Sequence, residues 1–151
     1  MIIPGRVALS CKIITQVLSA EHQTQPCGID LTLKRIMTWT SPGTIDFDNK
    51  QRRTAQTVEI PFKRDSSEYT DVSCGSYLVE FHEIVNMPLD LMGQIFVRSS
   101  LFGSGALIHA GVVNPHGLRL IKDAKLAQMV FHQMSEPVEG YNGVYQGRTF
   151  V

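Results

Sequence analysis

The chain has 151 residues and a mass of 16.8 kDa, the size of one ordinary domain, and its 43% hydrophobic and 19% charged content excludes wholesale disorder. Fourteen Lys and Arg balance fourteen Asp and Glu. That neutrality argues against a general nucleic-acid or membrane-surface binder and requires any anion to be held by a local cluster.

No apolar run approaches the roughly 18 residues of a membrane helix. The start, MIIPGRVALSCK, lacks the basic, apolar and small-residue regions of a secretory signal. The three cysteines, Cys11, Cys27 and Cys74, form no CxxC pair. They read as buried or partly buried thiols of a protein in a reducing, cytoplasmic compartment.

In chain order, Ile13, Ile14, Val17 and Leu18 at helical spacing predict a short N-terminal helix within Val7 to Ala20. Ile29, Leu31 and Leu33 then alternate with Asp30, Thr32 and Lys34, the period of a strand. The polar stretch Asp46 to Gln56, with Lys50, Arg52 and Arg53, reads as a solvated excursion. Further strands are predicted at 58–62, 76–81, 94–98, 106–109, 118–121 and 126–132. Turn signals separate them at Ser41-Pro42-Gly43, Cys74-Gly75, Met87-Pro88 and Asn114-Pro115-His116-Gly117. Many short strands punctuated by Gly and Pro predict a single all-β domain, a barrel or sandwich, with one short helix.

Several chemistries are excluded by their missing signatures. His82-Glu83 has no second histidine four positions after the first, Pro26-Cys27 is followed by Asp30 where a zinc deaminase needs cysteine, and neither a phosphate-binding Walker loop nor GxSxG occurs. Two places are more informative. Arg98-Ser99-Ser100 follows the apolar run Ile95-Phe96-Val97 and brings a guanidinium fork and two hydroxyls together; it suits phosphate oxygens or is an ordinary strand-end cap. Asp30 begins a strand and either holds a water of hydrated Mg²⁺ or is an exposed turn acid.

These places, in this order, resemble the dUTPase and dCTP deaminase superfamily, in particular its archaeal-type members. Gln25-Pro26-Cys27-Gly28-Ile29-Asp30-Leu31 is similar to the first motif. Met87-Pro88, Gly93 and Arg98-Ser99-Ser100-Leu101 are similar to the approach to the second motif and the motif itself. Ala127-Gln128-Met129-Val130-Phe131 is similar to the fourth, and the segment 136–147 resembles the C-terminal arm that closes over bound nucleotide. The resemblance implies a distorted, jelly-roll-like β-barrel assembled as a homotrimer, with sites at subunit interfaces. It implies hydrolysis of dUTP to dUMP and pyrophosphate, with dCTP as a further ligand, and magnesium as cofactor. It places Arg98, Ser99, Ser100 and Gln128 on the phosphates, Asp30 on magnesium through water, and Tyr141, Tyr145 and Gln146 in the arm within 136–151.

One departure stands against it. The third motif of such proteins carries the aspartate of dUTPases or the glutamate of deaminases, and no Asp or Glu lies between Asp90 and Asp123. Neither residue can be carried over, and His109 is the one nearby group able to take a proton near neutral pH. Gly103 also stands where many such proteins have arginine, which makes the deaminase branch the weaker match. The resemblance therefore admits a second reading: a catalytically silent trimer acting as nucleotide sensor or interaction protein.

Overall fold

The computed structural model describes residues 1–44, 47, 50, 51, 53–64, 68–108 and 118–138, with residues 118–121 described in their main chain alone. In chain order come β1 (Ile2–Ile3), α1 (Gly5–Ser10), β2 (Ile14–Thr15), α2 (Ala20–Gln23), β3 (Thr24–Gln25) and β4 (Gly28–Trp39). There follow β5 (Thr57–Glu59), β6 (Lys63–Arg64), β7 (Glu68–Val72), β8 (Leu78–Phe81), β9 (Ile84–Val85) and β10 (Leu91–Val97). The helix α3 (Ser99–Gly103), β11 (Leu118–Ile121) and β12 (Lys125–Gln133) complete the order.

The spine is β4. Its first half pairs with β12 and β3 and its second half with β8 and β5, while β12 also carries β1 and β10. This curled, antiparallel seven-stranded sheet is joined by a three-stranded sheet, β11-β7-β6, and the β2-β9 ladder. The architecture is the all-β, jelly-roll-like fold expected from the sequence. One apolar cluster gathers Ala8, Ile13, Ile14, Ile29, Leu31, Leu91, Ala127 and Phe131; a second gathers Leu33, Ile36, Val72, Leu101, Ala106 and Leu126.

Two register shifts in the spine set up the site. Between Lys125 and Ala127, β12 slips against β4, so that Lys125 faces Thr32 while Ala127 faces Leu31. The bulge residue Leu126 turns into the second core cluster. A second shift, between Leu33 and Arg35, sets Lys34 and Arg35 together on Glu80, at 2.7 and 2.5 Å.

The N-terminal helix forms earlier than its apolar spacing suggested, over Gly5–Ser10, and Ile13 and Ile14 are buried beyond its end. A Schellman-type cap ends it: the Ile13 N–H reaches the Ala8 carbonyl at 2.9 Å and the Lys12 N–H reaches Leu9 at 3.0 Å, with Lys12 left-handed at φ 56°. Ile14 then pairs in β2 with Val85. Of the apolar residues at helical spacing, Ile13 thus fills the core from the cap and Ile14 from a strand, Val17 packs against the same cluster, and Leu18 is exposed.

The strands expected at 58–62, 76–81, 94–98, 118–121 and 126–132 form within three residues of those bounds, whereas the one over Ile29–Lys34 runs on to Trp39, β7 at Glu68–Val72 was not expected, and 106–109 does not form as a strand. Leu107 and Ile108 lie outside any strand, and His109 is outside the described residues, as are Asn114 to Gly117. The three cysteines are exposed and unbridged, contrary to the buried or partly buried thiols expected. Each sits in a turn or loop, Cys11 at the α1 cap, Cys27 at the β3–β4 turn and Cys74 between β7 and β8. Within 46–56 the described side chains are mostly exposed, as a solvated excursion requires.

Candidate functional site

The strand alternation of β4 conceals a second buried face. Ile29, Leu31 and Leu33 point into apolar clusters, yet Asp30 and Thr32 between them are also buried, 2% and 3% exposed. A buried carboxylate needs partners, since an isolated one costs several kcal/mol in a protein interior. Asp30 has three, and all meet its Oδ2. Arg98 donates through Nη1, Gln25 Nε2 donates at 3.0 Å, and Lys125 Nζ stands 3.3 Å away. The exposed turn acid allowed for by the sequence is therefore excluded.

Each partner arrives from a different element. Gln25 sits on β3, just before the two-residue turn Pro26-Cys27 into β4. The close approach there requires glycine: a Cβ at Gly28 would strike the Met129 carbonyl, and one at Gly5 would strike the carbonyl of Gly28. Arg98 follows β10 and is the N-cap of α3; its main-chain N–H bonds the Leu126 carbonyl at 3.2 Å. Lys125 opens β12 and also donates to the His22 carbonyl at 2.6 Å.

Gln128 of β12 lies directly across from Asp30 on one side and Phe96 on the other, so Asp30, Gln128 and Phe96 form one row over three strands. Ser99 and Ser100 occupy the first turn of α3, exposed, and their hydroxyls have no partner among the described residues. Neither caps the helix through its side chain. Of the expected site residues, Asp30, Arg98 and Gln128 thus meet, with Ser99 and Ser100 adjoining. Tyr141, Tyr145 and Gln146 lie outside the described residues.

Beneath this cluster is a buried polar network that the sequence reading missed. Glu83, 9% exposed, accepts the Thr32 N–H at 2.9 Å, the Thr32 hydroxyl at 2.6 Å and Gln23 Nε2 at 2.6 Å. Gln23 Nε2 also donates to the Asp30 carbonyl at 2.8 Å, and its Oε1 accepts the Ser19 N–H at 2.8 Å. Every polar atom of the Gln23 amide is engaged. Glu83 takes the Thr32 N–H on the edge of β4 away from β12, where the Thr32 carbonyl accepts the His82 N–H at 3.1 Å, and so fixes the main chain that carries Asp30.

The arrangement presents cations and hydroxyl donors beside one buried carboxylate, which is the chemistry of an anion site. A hydrated magnesium ion takes carboxylates together with phosphate oxygens. Here a single carboxylate stands at the site, already loaded with three donors, and among the described residues no group of three or more His, Cys, Asp or Glu can hold a metal. The protein's own side chains do not fit a resident ion.

Comparison with known proteins shows the family. The family model described as dCTP deaminase-like matches residues 6–134. A probable deoxyuridine 5'-triphosphate nucleotidohydrolase of Methanosarcina mazei is 35% identical over 150 residues, covering 89% of this chain and 86% of that one. The deoxyuridine 5'-triphosphate nucleotidohydrolase of Methanocaldococcus jannaschii is 30% identical over 141 residues, covering 85% and 90%. Among solved structures, a 2'-deoxycytidine 5'-triphosphate deaminase from Agrobacterium tumefaciens superposes with a TM-score of 0.53 at 17% identity. It is matched over 86% of this chain and 46% of its own length, a likeness of fold.

Proposed function

The chain belongs to the dCTP deaminase-like family, and we propose that within it the protein acts on dUTP, hydrolysing it to dUMP and pyrophosphate. The observation that carries this reading is the convergence of Asp30, Arg98 and Gln128, from three separate segments, beside the hydroxyls of Ser99 and Ser100, which have no partner among the described residues. Similarity to the deoxyuridine triphosphate nucleotidohydrolases over most of both chains supports it.

In this reading Arg98 holds phosphate oxygens through its fork, Ser99 and Ser100 add hydroxyl donors, and Gln128 orders the same end. Magnesium arriving with the triphosphate as part of the substrate would neutralise phosphate charge, and the resemblance puts Asp30 at its water. The arm with Tyr141, Tyr145 and Gln146 closes over the nucleotide, an assignment resting on the resemblance. The homotrimer is supported by exposed apolar residues on one face of β1 and β10: Ile2, Met92 and Phe96 are 48%, 47% and 45% exposed. Between them His132 Nε2 is buried without a partner among the described residues. Exposed, unbridged thiols suit a reducing cytoplasm, and no described helix is long and apolar enough to cross a membrane.

A specific observation favours a second reading. The 32 residues 91–122 contain no carboxylate to activate water, so a silent trimer that binds nucleotide as sensor or interaction protein keeps the phosphate site without the chemistry. The test is pyrophosphate release from dUTP with magnesium, run beside dCTP and with binding measured in parallel. Release selective for dUTP supports hydrolysis. Binding without release selects the silent trimer, and neither binding nor release overturns both.

A further inference from the structure

We propose that Asp30 is the internal counter-anion of a two-cation phosphate site, and that Lys125 belongs to that site beside Arg98. The proposal rests on the nucleotide reading above and adds a residue and an energetic consequence to it.

Arg98 and Lys125 bring two positive charges and Asp30 one negative, so the cluster carries one net positive charge as folded. Its polarity is ordered in depth. The Asp30 side chain is 2% exposed, whereas those of Arg98 and Lys125 are 30% and 33% exposed. The carboxylate is thus at the bottom and the cations form the wetted rim. They can turn to an external oxyanion without first being stripped of water. Carboxylate and phosphate oxygens suit the same guanidinium donors, and Asp30 Oδ2 already takes Arg98 Nη1, one of the donors that a phosphate would take. Lys125 Nζ is also tethered to the His22 carbonyl at 2.6 Å, which holds the ammonium at the rim whichever anion it faces. The hydroxyls of Ser99 and Ser100, without a partner among the described residues, follow Arg98 in the chain as two further donors for the same anion.

An incoming phosphate therefore competes with Asp30 for Arg98 and Lys125. The aspartate keeps the cations together in the empty site and weakens the binding of bare phosphate. Removing its charge should strengthen such binding, the opposite of what loss of a supporting residue does.

The experiment is titration calorimetry of the full chain with inorganic tripolyphosphate and with dUTP, both in EDTA. Asp30→Asn is expected to bind tripolyphosphate about tenfold more tightly than wild type, and Lys125→Gln about tenfold more weakly, the scale of one partly exposed charge pair. Equal or weaker binding by Asp30→Asn overturns the counter-anion. Unchanged binding by Lys125→Gln overturns the role of Lys125, a variant that leaves the Asp30–Arg98 pair in place and tests the proposal even where Asp30→Asn folds poorly. Wild-type protein that binds neither tripolyphosphate nor dUTP overturns the nucleotide reading and this inference together. Failure of the variants alone leaves that reading standing.

Discussion

Glu83 accepts two hydrogen bonds from Thr32, one from its main-chain N–H at 2.9 Å and one from its hydroxyl at 2.6 Å. A strand residue normally gives its N–H to a neighbouring strand. Thr32 gives it to a side chain on the edge of β4 away from β12, where β8 has ended at Phe81 and the Thr32 carbonyl accepts the His82 N–H at 3.1 Å. Among the described residues no cation pairs with Glu83, so its charge rests on Thr32 and Gln23 alone.

Glu83→Gln keeps the shape and replaces one acceptor oxygen by a donor that faces donors. The expected cost is about 2–3 kcal/mol, the range for hydrogen bonds to a charged group. Urea unfolding measures it, and a midpoint unchanged from wild type contradicts the network.

Arg98→Lys tests the fork. Lysine keeps the charge but offers a point donor with no planar pair. Nucleotide binding should weaken by at least about 1–2 kcal/mol in calorimetry, the scale of one charge-assisted hydrogen bond. Unchanged affinity would make the Arg98-Ser99-Ser100 triplet structural.

Gly103 closes α3, and a Cβ built there meets nothing within 4 Å. The backbone freedom of glycine has no use at that position. Gly103→Ala should raise stability by about 0.5–1 kcal/mol by restricting the unfolded chain. Thermal melts check this, and a lowered midpoint argues against the helical assignment.

Glu80 predicts a pH signature. Burial pushes its carboxyl up, but hydrogen bonds from Lys34 and Arg35, reinforced by their charges, together outweigh it and hold the group below its ordinary 4.5. A carboxyl lowered by folding stabilises the fold above its unfolded value and loses that contribution as pH falls through the folded one. Glu80→Gln should cost about 0.5–1 kcal/mol at neutral pH, with the difference shrinking as pH drops below 4.5. A difference that stays constant into strong acid contradicts the pairing.

The sequence by itself determined the class of fold, and its resemblance to the family's motifs picked out three segments that the structure brings together. Alternating apolar residues at Ile29, Leu31 and Leu33 dictated a strand wherever the rest of the chain went, because only that period buries all three together. Gln25 to Leu31, Arg98 to Leu101 and Ala127 to Phe131 stood out as blocks, and the structure brings Asp30, Arg98 and Gln128 from them onto one patch.

Tertiary structure decided the rest, and the reason is register. Alternation predicts that polar residues between buried ones face water, yet Asp30 and Thr32 are buried because a second layer, with Gln23 and Glu83, covers that side of β4. Lys125 shows the same limit. Counted in twos along β12 it belongs with Ala127 and Met129 on the core face, where an ammonium has no place. The bulge at Leu126 shifts the count by one and delivers Lys125 to Asp30. A bulge forms because two strands must both pack, so a single strand's residues do not announce it.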